Sequence, residues 1–236
     1  MNDFAIRRWS GAFGVATAAL WLAQFPLYMI GPAPSVYDGA AYSAYLRDIS
    51  TIAFTRILLD QGVYICMLVF AAGFRHLVRQ ARSDYEWLGT LLFGTALVWL
   101  AVTLVADGLA GGAVLDAISA HPDPVVTRAL ILGTLLIYNG STAFVMTALF
   151  LAVAGVATLG TRVLPAWTSW LAFIGAGLCL IVAPTTFAGP VDYDRMYNVG
   201  GFVPALIANF PPVLWFVAAS IALLVQRRIP TQSPRE

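Results

Sequence analysis

The chain has 236 residues, of which 60% are hydrophobic and 11% are charged, and its mean hydropathy is +0.80. This composition is far more apolar than that of a soluble domain, so the sequence predicts a polytopic membrane protein formed by residues 1–236 as a single membrane domain. The formal net charge of +1 argues against nucleic acid as a partner, because nucleic-acid binding needs a strongly basic face.

The lysine, cysteine and histidine content limits which reactions and bound groups the protein can support. All 13 basic residues are arginine, which excludes a Schiff base on lysine. Cys66 and Cys179 lie in apolar segments without Cys-x-x-Cys spacing, and His76 and His121 are predicted on opposite sides of the membrane. The sequence therefore predicts no metal site and no bound cofactor.

Six apolar segments reach the length of about 20 residues that a transmembrane helix needs. In chain order they cover about 9–30, 49–74, 87–107, 126–158, 164–187 and 202–225. Turn residues and acidic groups predict loops at 31–48, 107–124 and 188–201. We expect an all-α fold in which six transmembrane helices form a single bundle. The adjacent Pro211 and Pro212 predict a break or kink in the last helix, with free carbonyls.

The second span carries Arg56 and Asp60 within an otherwise apolar run. These residues are four positions apart and Tyr64 follows one turn later, so all three share one helix face. Two interpretations follow. Arg56 and Asp60 form a structural ion pair that fixes helix packing, or all three residues line a water-accessible pocket.

The distribution of arginine predicts the orientation. Nine arginines fall on the side of the N-terminus, namely Arg7, Arg8, Arg75, Arg79, Arg82, Arg162, Arg227, Arg228 and Arg235. Three fall on the opposite side, namely Arg47, Arg128 and Arg195. Positive charge concentrates on the cytoplasmic side, so both termini are predicted to be cytoplasmic. Because lysine-free, alanine-rich usage suggests a bacterial genome, we expect a multi-pass protein of the bacterial plasma (inner) membrane.

Helical rise predicts how deep the polar groups lie. Counted from the outer end of each span, Asp60 lies about 16 Å down and Arg56 about 10 Å down, while Asp107 lies at the outer rim. Asn209 lies about 10 Å down, and Asn139 about 20 Å. We therefore predict an outward-facing polar cavity with Arg56 and Asp60 at its floor. Its candidate ligand-binding residues are Arg56, Asp60, Tyr64, Asp107, Asn139 and Asn209.

Two stretches carry a resemblance to known proteins, LGTRVLPAWTSWLAFIGAGLCL at 159–180 and PPVLWFVAASIALLVQRR at 211–228. They resemble a loose group of bacterial, largely actinobacterial, six-span membrane proteins that form a domain family of unknown function. The resemblance covers the last third of the chain and otherwise only the order of the spans. It implies a six-helix membrane fold and no established activity.

Three functions are compatible with this pattern. The first is a membrane protein that binds a lipophilic or small molecule, or an accessory subunit with a membrane partner or a second copy of the chain. The second is an intramembrane enzyme acting on a lipid or isoprenoid, with Asp60 as the candidate catalytic general acid and Arg56 and Tyr64 positioning it. The third is a small-molecule transporter, which needs polar groups on both sides of the midplane.

Overall fold

The computed structural model describes residues 3–28, 30 and 33–225. Within these residues the chain forms helices and no strand, and six helical segments are long and apolar enough to cross a membrane. The protein is therefore an all-α, multi-pass membrane protein, as the composition predicts. The predicted positive charges at Arg227, Arg228 and Arg235 lie outside the described residues.

Nine α-helices follow one another through the described ranges. In chain order they are α1 Asp3–Ala23, α2 Phe25–Tyr28, α3 Gly39–Asp48, α4 Ser50–Ala81, α5 Glu86–Ala117, α6 Pro124–Asn139, α7 Ser141–Thr161, α8 Ala166–Val182 and α9 Phe202–Val225. Short 3₁₀ turns occupy Ser83–Tyr85 and Ala183–Phe187. The six spans are α1 with α2, α4, α5 with the turn before it, α6 with α7, α8 with the turn after it, and α9.

Two helices extend beyond the predicted spans. Both α4 and α5 contain 32 residues, a length of about 48 Å against a hydrocarbon core of about 30 Å. The loop prediction for 107–124 is therefore wrong as far as Ala117. The loop prediction for 31–48 is wrong from Gly39 onward, because Gly39–Asp48 forms α3. Asp107 does not end α5, because neighbouring helices donate hydrogen bonds to its carboxylate.

The fourth span, predicted as one helix over 126–158, is two helices joined at Gly140, whose backbone is extended (φ −96°, ψ 177°). The Ser141 N–H donates to Thr186 Oγ1 at 3.0 Å, and the Ser141 hydroxyl donates to the Ala183 carbonyl at 2.6 Å. These bonds satisfy polar groups that the break would leave unpaired inside an apolar bundle. The break is therefore tied to the end of α8.

Of the break or kink predicted at Pro211 and Pro212, the break does not occur, since α9 continues through both prolines. A proline at position 211 frees the Ile207 carbonyl, four residues earlier. The Cys179 thiol of α8 donates to that carbonyl, with sulfur and oxygen 4.0 Å apart. A neighbouring helix thus supplies the missing donor, as is common in transmembrane bundles.

The bundle has two distinct ends. At one end, which we call the arginine-rich end, Arg7 Nε donates to the Leu223 carbonyl at 3.2 Å and Arg7 Nη2 to the Val163 carbonyl at 3.4 Å. These contacts place the start of α1, the turn before α8 and the end of α9 together. The opposite end, which we call the distal end, holds α3 and the loop at 188–201. The start of α1 and the end of α9 therefore lie on the same side of the bundle. That this side is cytoplasmic stays a prediction.

An aromatic core fills the half of the bundle nearer the arginine-rich end. Its members are all fully buried, and they are Phe70, Phe74, Phe150, Trp215 and Phe216. Their contacting rings have centroids 5.0 to 6.2 Å apart. Along α4, Phe70 and Phe74 lie between Tyr64 and Arg75, so the aromatic core separates the arginine-rich end from the polar residues of the distal half.

Candidate functional site

Four segments bring polar side chains to one level of the bundle, next to the aromatic core on its distal side. We call this set the carboxyl cluster, and its members come from the end of α1, from α4, from α5 and from α6. They are Gln24, Arg56, Asp60, Gln61, Tyr64, Asp107 and Tyr138. Every member except Gln24 lies within a helix, so regular backbone positions the cluster.

Asp107 is the most fully bonded member and is only 4% exposed. Its Oδ2 accepts from the Tyr64 hydroxyl at 2.8 Å and from Gln61 Nε2 at 3.2 Å. Its Oδ1 accepts from the Tyr138 hydroxyl. The three donors are neutral, so they solvate a carboxylate without cancelling its charge.

Asp60 faces Asp107 from the neighbouring helix. Its Oδ1 accepts from Gln24 Nε2 at 2.7 Å. Its carboxyl group interacts electrostatically with that of Asp107, to which the flanking Gln61 and Tyr64 donate. A carboxylate has no proton to donate, so a hydrogen bond between the two groups requires one proton. A cation between the two carboxylates would equally offset the repulsion between their negative charges.

Arg56 lies at the edge of the cluster rather than in an ion pair. Its guanidinium carbon is 3.5 Å from the centroid of the Tyr28 ring, a cation–π contact. Its Nε is buried without a hydrogen-bond partner within the described residues. Within the described residues, no nitrogen of Arg56 lies within 4 Å of a carboxylate oxygen of Asp60, so the predicted ion pair is not formed. Asp60 instead faces Gln24 and Asp107.

Counting along three helices gives the depth of the cluster. Asp60 is about 22 Å from Arg75 along α4, and Gln24 is about 25 Å from Arg7 along the first span. Asp107 is about 27 Å along α5 from Gly89, the glycine that packs against Arg75. The three counts agree, so the cluster lies in the distal half of a core about 30 Å thick. The predicted separation in depth between Asp60 and Asp107 is wrong, because α5 continues ten residues beyond Asp107.

The structure brings Asp60, Tyr64 and Asp107 together, with Arg56 beside them. Asn209 is elsewhere, since its Oδ1 accepts from Trp21 Nε1 at 2.8 Å and its Nδ2 donates to the Ala205 carbonyl at 2.7 Å. Asn139 is half-buried at the end of α6 and makes no side-chain hydrogen bond within the described residues. These two residues do not join the cluster.

Sequence reasoning missed three members of the cluster as site residues, namely Gln24, Gln61 and Tyr138. Each is a polar residue in an apolar span, which is the available signal. Tyr138 and Asn139 are adjacent, so their side chains leave the helix about 100° apart and only the rotation of α6 decides which one faces Asp107.

A groove of about 440 Å³ opens at the distal end between residues 33–37 and 190–195. The Val191 N–H donates to the Tyr37 hydroxyl at 3.0 Å, which joins the two segments. Burial raises the pKa of Tyr42 and of Tyr193, whose hydroxyls interact beside this groove. Neither Arg56 nor Asp60 lines the groove, so an outward cavity with these residues at its floor stays a prediction.

Within the ranges the structure describes, no group of three or more His, Cys, Asp and Glu residues could hold a metal ion. Comparisons with protein-family models, with curated proteins and with solved structures find no match to this chain. Interpretation of the carboxyl cluster therefore depends on its own geometry.

Proposed function

We propose that the protein is a membrane-embedded binding protein for a small lipophilic molecule that carries a protonated amine, and that the carboxyl cluster holds this amine. The single observation that carries the proposal is that Asp60 and Asp107 face each other inside an apolar bundle, because Gln61 and Tyr64, which flank Asp60 on α4, both donate to Asp107. Two neighbouring carboxyl groups at this depth favour a proton or a cation between them.

The charges of the cluster favour a cationic ligand. With both carboxyl groups ionised, Asp60, Asp107 and Arg56 carry a net charge of −1, and the other members are neutral. Arg56 directs its guanidinium to the Tyr28 ring instead of to either carboxylate. An ammonium group would restore neutrality and donate hydrogen bonds to both carboxylates.

Access from the lipid favours a ligand with an apolar part. Asp107 is buried, whereas Asp60 and Arg56 are half-buried and lie nearer the surface of the bundle. Tyr28, whose ring contacts Arg56 one turn from Asp60, is 54% exposed. A molecule that partitions into the bilayer can therefore present a polar head to Asp60 and leave its apolar part against α4.

Binding is favoured over transport because the aromatic core lies between the cluster and the arginine-rich end. The side chains along α4 from Met67 to Phe74 that face the core are apolar and buried. A transporter needs coupling groups and access on both sides of its site.

The test uses the purified full chain in mild detergent and three amphiphiles of equal chain length, decylamine, decanol and decanoate. We expect decylamine alone to raise the Tm and to remain bound in native mass spectrometry. Asp60→Asn and Asp107→Asn should each abolish this effect. Asp48→Asn, an exposed carboxylate at the end of α3, is the matched control and should retain it. Equal shifts with all three compounds, or an undiminished shift in both cluster variants, would contradict the proposal.

The same pair of carboxyl groups gives a second candidate function, an intramembrane enzyme in which Asp60 is a general acid. Paired carboxyl groups in different environments commonly divide acid and base roles. Lipid extraction of the purified protein distinguishes the two functions. A co-purified lipophilic amine with unchanged mass supports binding. A substrate and product pair whose ratio changes in Asp60→Asn supports an enzyme.

Two further assignments belong to this proposal. The excess of arginine at one end supports a bacterial plasma membrane location with cytoplasmic termini. The resemblance of 159–180 and 211–228 to uncharacterised bacterial six-span proteins is kept as a proposed relationship. A membrane partner or a second copy of the chain remains an expectation that co-purification tests.

A further inference from the structure

A second polar site lies at the arginine-rich end, independent of the carboxyl cluster. The last turns of α4 and the start of α5 line an open surface pocket of about 260 Å³. Its lining consists of Ala72, Arg75, His76, Arg79 and Glu86. We call it the arginine pocket. It lies about 22 Å along α4 from Asp60, at the level where the helix leaves the apolar region.

The arginine pocket carries more positive charge than its one carboxylate neutralises. Arg75 Nη2 is 3.6 Å from Glu86 Oε1, and Arg79 Nε is 3.7 Å from Glu86 Oε2. Both separations exceed the 2.7–2.9 Å typical of charge-assisted hydrogen bonds. Two guanidinium groups therefore share one carboxylate loosely, and one positive charge remains available to an anion.

The neighbouring Arg82 shows the contrasting arrangement. Its Nη2 is 2.5 Å from Asp84 Oδ2 and its Nε is 3.1 Å from Asp84 Oδ1. Its Nη1 donates to the Gly160 carbonyl at 3.3 Å, and its guanidinium also lies over the Tyr85 ring. Arg82 is therefore committed to contacts within the protein, in contrast to Arg75 and Arg79.

The surface next to the arginine pocket suits an acyl chain. Ile65, Val69 and Ala72 are exposed on one face of α4, at helical spacing, and lead from the pocket toward the interior of the membrane. Trp87, which follows Glu86, is 63% exposed, and tryptophan favours the membrane–water interface. A lipid whose phosphate contacts the arginines would thus have its acyl chain against the apolar face of α4, on the side toward the membrane interior.

We propose that the arginine pocket binds the phosphate of an anionic phospholipid, with Arg75 and Arg79 as its cationic contacts and the Ile65–Val69–Ala72 face against an acyl chain. Basic pockets at the ends of transmembrane helices bind anionic head groups in this way. Glu86 limits the affinity, because it competes with the phosphate for both guanidinium groups.

Native mass spectrometry of the full chain in detergent, with equal amounts of phosphatidylglycerol and phosphatidylcholine, tests the proposal. We expect preferential retention of phosphatidylglycerol, reduced about fivefold by Arg75→Gln or by Arg79→Gln. Glu86→Gln should increase retention, a gain that a purely structural role of Glu86 does not produce. Arg128→Gln, an exposed arginine near the distal end, is the matched control and should leave retention unchanged.

Three outcomes would overturn the proposal. They are equal retention of the two lipids, unchanged retention in both arginine variants, and reduced retention in Glu86→Gln. Inorganic phosphate distinguishes the source of the anion. If free phosphate displaces the lipid at equal concentration, the arginine pocket is a simple anion site and the lipid assignment is wrong. If an arginine variant does not fold, Glu86→Gln still decides the question.

Discussion

Gln24 donates a hydrogen bond of 2.7 Å to Asp60 and thereby joins the end of α1 to the middle of α4. Beside Asp60 on α4, Gln61 and Tyr64 donate to Asp107 on α5, and Asp107 also accepts from Tyr138 on α6. One chain of polar contacts therefore crosses four segments of the bundle. The carboxyl cluster is consequently a tie between helices as well as a candidate binding site, and the two roles are separable by experiment.

The tyrosines that donate to Asp107 should contribute to stability as a unit. We expect Tyr138→Phe to lower the free energy of unfolding by about 1.5–3 kcal/mol, because a buried carboxylate loses a donor. Tyr64→Phe should cost a similar amount. The double variant should cost less or more than the sum, since the two hydroxyl oxygens are only 3.3 Å apart and neighbouring sites couple.

Thermal unfolding of the four proteins in one detergent completes this double-mutant cycle. Tyr197→Phe provides the control, because its hydroxyl donates to the Ile181 carbonyl at an exposed position. Strict additivity of the two cluster variants, or an unchanged Tm in Tyr138→Phe, would show that the polar contacts are not a connected network.

The aromatic core should carry much of the packing energy. Phe150 is fully buried, with its ring centroid 5.6 Å from that of Trp215. Phe150→Ala is expected to lower the free energy of unfolding by about 3–5 kcal/mol, because it leaves a cavity among rigid rings. Phe187, which is 88% exposed, gives the matched Phe→Ala control, with a change within about 0.5 kcal/mol. Similar losses of Tm for the two variants would contradict this assignment.

Two glycines should respond to alanine in opposite directions. A Cβ at Gly140 would collide with the Leu136 carbonyl, so Gly140→Ala should destabilise the protein by about 1–3 kcal/mol. Gly94, inside α5, has open space around its Cβ position, so Gly94→Ala should stabilise by about 0.5–1 kcal/mol through helix propensity. Thermal unfolding of both variants measures the difference. Stabilisation by both would mean that the extended link between α6 and α7 is not required.

Cysteine labelling tests the orientation. Ser119 follows α5 at the distal end and Ser83 follows α4 at the arginine-rich end, and both are exposed. A maleimide that does not cross membranes should label Ser119→Cys in intact cells and should label Ser83→Cys only after lysis. The unmodified chain, which carries the half-buried Cys66 and the buried Cys179, measures the background labelling. The reverse labelling pattern would show that the positive-inside prediction is wrong for this protein.

The loop predictions show how local reasoning fails in this chain. Asp107 and the glycines after it are typical of a helix end in water. In the structure Gln61, Tyr64 and Tyr138 donate to Asp107, and α5 continues to Ala117. Pro211 and Pro212 similarly predict a break or kink, but α9 continues through them, and Cys179 donates to the carbonyl that Pro211 frees. In both cases the partner comes from another helix, so no local pattern records it.

The sequence by itself determined the all-α membrane architecture and the number of spans, because the length of an apolar run is set against the thickness of the bilayer. It also indicated Asp60, Tyr64 and Asp107, since ionisable and polar groups are costly inside an apolar span wherever they point. Only the tertiary structure decided that Asp60 faces Asp107, that Tyr138 rather than Asn139 joins them, and that Arg56 turns to Tyr28. Those choices depend on the rotation and relative height of whole helices, which packing between helices fixes and no single span encodes.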